Sequence, residues 1–168
     1  MKKLLLLLML FSTPVMAVEP ITGAFGVKLG DVWDGEAIAT FEKDGYFIHG
    51  FIPDLPHDLF DTYAVNVTPV KKLIFAIGGA KKGGCEQYQA LKKALIKKYG
   101  AGEERDEFGH VWGHGQRKLQ TSFWPYARTI YIRCKVKEDE GIKGLYINYQ
   151  DWDIYDSRTD KLPDTSNL

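Results

Sequence analysis

Alternation of apolar and polar positions is the clearest pattern in the second half of the chain. In TIYIRCKVK, Ile130, Ile132, Cys134 and Val136 fall on one side and Tyr131, Arg133, Lys135 and Lys137 on the other. That is the period of a half-buried strand. After the polar turn EDEGIKG, the stretch LYINYQDWDI repeats it, with Leu145, Ile147 and Tyr149 opposed to Tyr146, Asn148 and Gln150, so the two predict a hairpin. TYAVNVT places Tyr63, Val65 and Val67 on one face and ends at Pro69, and KKLIFAIGG is almost wholly apolar, as a central strand is. YFIHGFI reads as a further strand, and PDLPHDLFD, between prolines and aspartates, as a loop. FGHVWGHG and RKLQTSFW read as a glycine-rich strand pair.

Two segments carry the helical period. From Cys85, CEQYQALKKALIKKYG sets Cys85, Tyr88, Leu91, Leu95 and Tyr99 on one face, with Gly83-Gly84 before it and Gly100 after it. Behind the glycine-punctuated GAFGVKLG, Asp31 is placed as the N-cap of a short helix to Phe41 or Lys43 that turns Trp33, Ala37, Ile38 and Phe41 inward. From about Asp156 the chain becomes polar and is expected to fray. Short connections favour antiparallel pairing. The expectation is an α+β fold, a two-layer sandwich of about six antiparallel strands with two helices on one face.

The start of the chain has a different character. Met1-Lys2-Lys3 is a basic cluster, Leu4 to Phe11 an apolar run, and Val15-Met16-Ala17 a cleavage signature, so residues 1–17 are expected to be a bacterial signal peptide removed after Ala17. The apolar run is far shorter than the ~20 residues of a membrane span. Residues 18–168 then form a single domain bound for the periplasm or the medium. Its basic residues number 20 against 22 acids once Lys2 and Lys3 are gone, and all three methionines leave with the leader. The charge balance argues against nucleic acid as a partner, and the loss of methionine removes any Met-lined metal site.

Export changes the meaning of the two cysteines. Cys85 and Cys134 each lie on the apolar face of their own element, and a helix packed on a sheet brings those faces together. A Cys85–Cys134 disulfide is therefore predicted, enclosing about 50 residues and contributing about 4 kcal/mol by chain entropy. The rival reading makes Cys85, behind Gly83-Gly84, a low-pKa nucleophile.

Other candidate chemistry is sparse. His110 and His114, four apart, share a face on either a helix or a strand and are the candidate metal pair, which His49 and His57 could join; without HExxH or a free cysteine, no metal and no cofactor are expected. Asp151, Asp153, Asp156 and Asp160 lack the glycine of a calcium loop and read as a solvated acidic end. GxSxG and SxxK are absent, so no catalytic residue is assigned. The lysines of the second helix, Lys92, Lys93, Lys97 and Lys98, argue for an anionic partner. The aromatics Trp112, Trp124, Tyr126, Tyr131, Tyr146 and Trp152 lie on glycine-rich stretches or on the non-core side of strands, and are the candidate binding residues if they converge.

The FGxxLG start (Phe25, Gly26, Leu29, Gly30) followed by a short helix, strands and a helix ending in KYG resembles small uncharacterised periplasmic proteins of Gram-negative bacteria. The element order resembles the BamE-like and β-lactamase-inhibitor-like architecture, which implies a sheet that supports protein binding. The functional expectation is an exported, non-catalytic binding protein. Its target would be another envelope or secreted protein, bound as an inhibitor, an immunity protein or an envelope accessory. A glycan or lipid-headgroup binder and an enzyme of unknown class are the alternatives.

Overall fold

A computed structural model describes residues 18–106, 109–118, 125–137 and 142–157, with the side chains of 135–137 and 142–143 excepted. Its strands are β1 (Gly23–Ala24), β2 (Val27–Lys28), β3 (Ala39–Lys43), β4 (Tyr46–Gly50), β5 (Thr62–Val67), β6 (Ile74–Lys82), β7 (Glu103–Asp106), β8 (Gly109–Gln116), β9 (Tyr126–Lys137) and β10 (Ile142–Asp151). The helices are α1 (Tyr88–Tyr99), entered through a 3-10 turn at Cys85–Gln87, and α2 (Trp152–Ser157). β1 and β2 form a small hairpin, and the other eight strands form one antiparallel sheet in the order β3-β4-β5-β6-β10-β9-β8-β7. The α+β fold and the antiparallel sheet are as expected, but the sheet has eight strands where about six were predicted. No helix among the described residues is long and apolar enough to cross a membrane.

Alternation decides which side of the sheet is covered. Tyr63, Val65 and Val67 of β5, Ile130, Ile132 and Cys134 of β9, and Leu145, Ile147 and Tyr149 of β10 are all buried in one cluster. Onto that face packs α1, through Tyr88, Leu91, Leu95 and Tyr99; side chains buried in this way contribute roughly 1.5–3 kcal/mol each. The N-terminal segment completes the layer. Between β1 and β2, Phe25 adopts φ 57° and sends its ring against Phe60, Tyr63 and Tyr149 at 4.9–6.4 Å. The disulfide forms as predicted, with Cα atoms 5.4 Å apart, and joins the start of α1's turn to β9.

The predicted first helix is absent. Over 31–38 the backbone is irregular, held to the sheet by a Val32–Leu73 bridge and by Trp33 N–H donating to the Lys72 carbonyl. Ala39–Lys43 is then a strand whose five residues are all exposed. The cause is local: Asp44 and Gly45, at φ 49° and 76°, make the two-residue turn that matches strand twist and pairs β3 with β4.

The second helix is α2, and its rings lie on the face opposite α1. Trp152 Nε1 donates to Thr129 Oγ1 at 3.0 Å, and the Tyr155 ring meets Phe75 at 5.5 Å. Both helices on one face is thus corrected. LYINYQDWDI stops being a strand at Asp151, whose Oδ1 accepts the Ile154 N–H and caps α2. Asp156, placed at the start of a fraying tail, is inside α2 and is gripped by Arg117 at 2.6 and 2.8 Å. Residues 1–17, the rest of the tail and the RKLQTSFW stretch beyond Lys118 lie outside the described residues.

Candidate functional site

Of the six aromatic residues singled out from sequence, three share the face opposite α1. Tyr131 and Tyr146 project there by register, being opposite Val111 and Arg133 in turn, and Tyr126 covers Gly113 of β8. Tyr126 and Tyr146 lie where a Cβ on Gly113 or Gly144 would collide with the ring. Tyr126 is fixed further by donating to Glu103 Oε1 at 2.6 Å; that bond, with burial, raises its phenol above the usual 10.0. Tyr146 is 39% exposed. Trp112 is not a surface ring: it is 1% exposed and its Nε1 donates to the Gly100 carbonyl at 2.8 Å, tying β8 to the end of α1. Trp152 is half-buried beneath Arg117, 5.0 Å away. Trp124 lies outside the described residues.

The histidine pair does not converge. His110 is buried, its Nε2 2.8 Å from the Ala101 carbonyl and its Nδ1 without a hydrogen-bond partner, whereas His114 is exposed. On β8 a spacing of four is about 13 Å along the strand. Among the described residues no group of three His, Cys, Asp or Glu side chains is placed to hold a metal.

The acidic end is structural rather than merely solvated. Asp151 pairs with Arg128 at 2.8 Å, Asp156 with Arg117, and Asp153 Oδ1 accepts the Lys118 N–H. Asp160 lies outside the described residues. The basic face of α1 is partly neutralised within the chain, since Lys92 pairs with Glu104 and Lys98 with Glu19.

A different site emerges where three separate segments meet. The β1–β2 hairpin, the irregular stretch 31–38 and the loop after β4 enclose an open cleft of about 400 Å3. Phe51 and Ile74 are buried in it, while Trp33 stands half-buried, edge-on to Phe51 at 5.3 Å. Around the opening the side chains are apolar and wet: Val32, Ile38 (67% exposed) and Ile52 (79%) line the cleft, with Leu55 beside Gly26 and Phe41 (63%) on the adjoining β3. The carboxylates of Asp31, Asp34, Glu36 and Asp54 also line it, opposed by Lys28. No sequence motif marks these residues. Ile38 and Phe41 looked buried because their spacing imitates a helix, and Ile52 was counted within a strand.

His49 backs this region. Its ring stacks at 14° to Trp33 and 16° to Phe47, and its Nδ1 is 2.9 Å from Thr40 Oγ1 of β3. Burial first, and then the charge of Lys72, hold its imidazole below the ordinary 6.5. The fold therefore favours neutral His49, and on acidification the unfolded chain takes up the proton first. Its contribution is complete above about pH 6.5 and is lost as pH falls through the lowered folded value. Denaturation midpoints should fall between about pH 7 and pH 5, and His49→Gln should flatten that dependence; an unchanged slope in the variant would refute the assignment.

Compared with known protein families, curated proteins and solved structures, the chain matches none.

Proposed function

We propose that this chain is an exported, non-catalytic binding protein that docks another envelope or secreted protein at the cleft and the adjoining β3. The observation that carries the reading is the gathering of exposed apolar side chains in one region: Val32, Ile38 and Ile52 are exposed along the cleft, Leu55 is exposed beside its Gly26, and Phe41 is exposed on the adjoining β3. Single exposed hydrophobics are ordinary on a protein surface, whereas contiguous ones mark a surface that is covered in use. Support for export comes from the internal Cys85–Cys134 bond, which persists in an oxidising compartment, and from the leader-like pattern of residues 1–17. A glycan or anionic-lipid target draws less support, because Lys92 and Lys98 already face carboxylates within the chain.

Affinity capture from the exported fraction of the source organism tests this. Wild-type protein should retain one protein in stoichiometric amount, and the double substitution Ile38→Asp/Ile52→Asp should reduce its recovery at least about tenfold without changing the thermal midpoint, since both side chains are exposed. Equal recovery by the variant, or no retained protein, would sink the reading.

A further inference from the structure

We infer that the partner is taken up as an extended, cationic strand that adds to β3 and sends a lysine or arginine into the cleft. This deepens the protein-binding reading above and rests on it.

The two edges of the main sheet are built differently. β7 is four charged residues, Glu103-Glu104-Arg105-Asp106, and its register breaks between Glu104 and Asp106. Short length, charge and a register break are how an edge is closed to further pairing. β3 is also short and ends in the charged Glu42-Lys43, but its first three residues, Ala39, Thr40 and Phe41, are uncharged and exposed, and no strand among the described residues pairs with its outer side. Its hydrogen-bonding phase follows from the turn. A two-residue hairpin loop closes on a hydrogen-bonded pair, here Lys43–Tyr46, so by alternation Phe41 and Ala39 bond inward to β4. Thr40 and Glu42 consequently direct their N–H and C=O groups outward, and an added strand would find its backbone partners on them.

Side-chain chemistry selects the occupant. Phe41 stands on one face of β3, and Thr40 and Glu42 on the other. A strand laid alongside therefore gains most if apolar residues alternate with basic ones. Just before β3, at Ile38, the cleft opens, and its lining carries Asp31, Asp34, Glu36 and Asp54 against Lys28. Among the described residues none of these four carboxylates is in an ion pair. A lysine or arginine entering there would lay its methylene stem along Ile38 and Ile52 and its charge among the acids, near the Trp33 ring. A second copy of this chain is a poorer occupant, because pairing β3 with β3 would oppose one acidic cleft to another.

The probe is a capped seven-residue peptide of alternating valine and lysine, compared by calorimetric titration with its valine–glutamate counterpart. The lysine peptide should bind at least about tenfold more tightly, with the difference shrinking in salt. Glu42→Pro removes an outward N–H without touching the β3–β4 ladder, and should weaken binding at least about tenfold while Glu42→Gln retains most of it. Asp34→Asn/Asp54→Asn should narrow the preference for lysine over glutamate. Should Glu42→Pro fail to fold, a lysine peptide N-methylated along its pairing edge serves instead, and it should not bind. Equal binding of the two peptides, or no binding of either, overturns the cationic strand. Indifference to both Glu42→Pro and N-methylation overturns the edge. A wild-type dimer that dissociates on Glu42→Pro assigns the edge to a second copy and overturns the inference. If the peptides fail while capture by the wild type still depends on Ile38 and Ile52, the protein-binding reading stands and only its strand form falls; if capture fails too, both fall.

Discussion

Replacing Cys85 and Cys134 together by alanine is expected to lower the unfolding free energy by about 4 kcal/mol, the chain-entropy value for a loop of this size. The two residues are 49 apart in sequence, so the bond removes many extended conformations from the unfolded chain. Cys134 is also buried in the core cluster, and loss of its sulfur leaves neighbouring side chains under-packed. Denaturant titration of the oxidised protein against the double variant reads the effect as a drop in midpoint. A loss below about 1 kcal/mol would show that the bond does not constrain the unfolded chain as its position requires. Reductant should shift the wild type toward the variant and leave the variant unmoved.

Trp112→Ala should cost a comparable amount, about 3–5 kcal/mol. The ring is 1% exposed, lies 4.5 Å from the His110 ring and donates to the Gly100 carbonyl, so truncation opens a cavity and orphans a helix-end acceptor at once. Tyr146→Ala, on the opposite face and 39% exposed, should cost less than about 1 kcal/mol. The contrast distinguishes a core pin from a surface ring between two residues that the sequence placed in one candidate group. Similar small losses for both would mean that Trp112 is not buried as described.

Which parts of this molecule were legible beforehand follows from what burial enforces. β5, β9 and β10 were readable because one face of each is covered, and a covered face demands strict alternation. Cys85 and Cys134 could be paired for the same reason, each lying on the buried side of its element. β3 was misread because an edge strand with both faces wet is under no such demand; Trp33, Ala37, Ile38 and Phe41 fall by chance at helical spacing. The corrective signal was present in Asp44-Gly45, the strongest short hairpin cue. β7 offers no apolar pattern at all, being four charged residues. Trp112 was misplaced because glycines on both sides suggested an open strand, whereas Gly113 is there to admit the Tyr126 ring. The cleft had no local signature, since its walls come from three segments that meet only in the folded chain.

The strand order also has a consequence for how the chain assembles. β3 to β6 and β7 to β10 are each a run of neighbours in sequence, and the two runs meet only where β6 pairs with β10. Pairings inside each run close short loops, while the seam joins Ala76 to Gln150 and Lys82 to Gly144, and contacts so distant in sequence are the ones that slow folding. The covalent link lies across the end of that seam: Cys134 is opposite Leu145, Leu145 is opposite Lys81, and Cys85 follows shortly after Lys81. Once the sulfurs have joined, β6 and β10 already have neighbouring ends, and their pairing becomes a zippering from a fixed point rather than a search between distant halves. Formation of the disulfide before the seam pairs would thereby set an order of assembly, with the seam closing from its laced end.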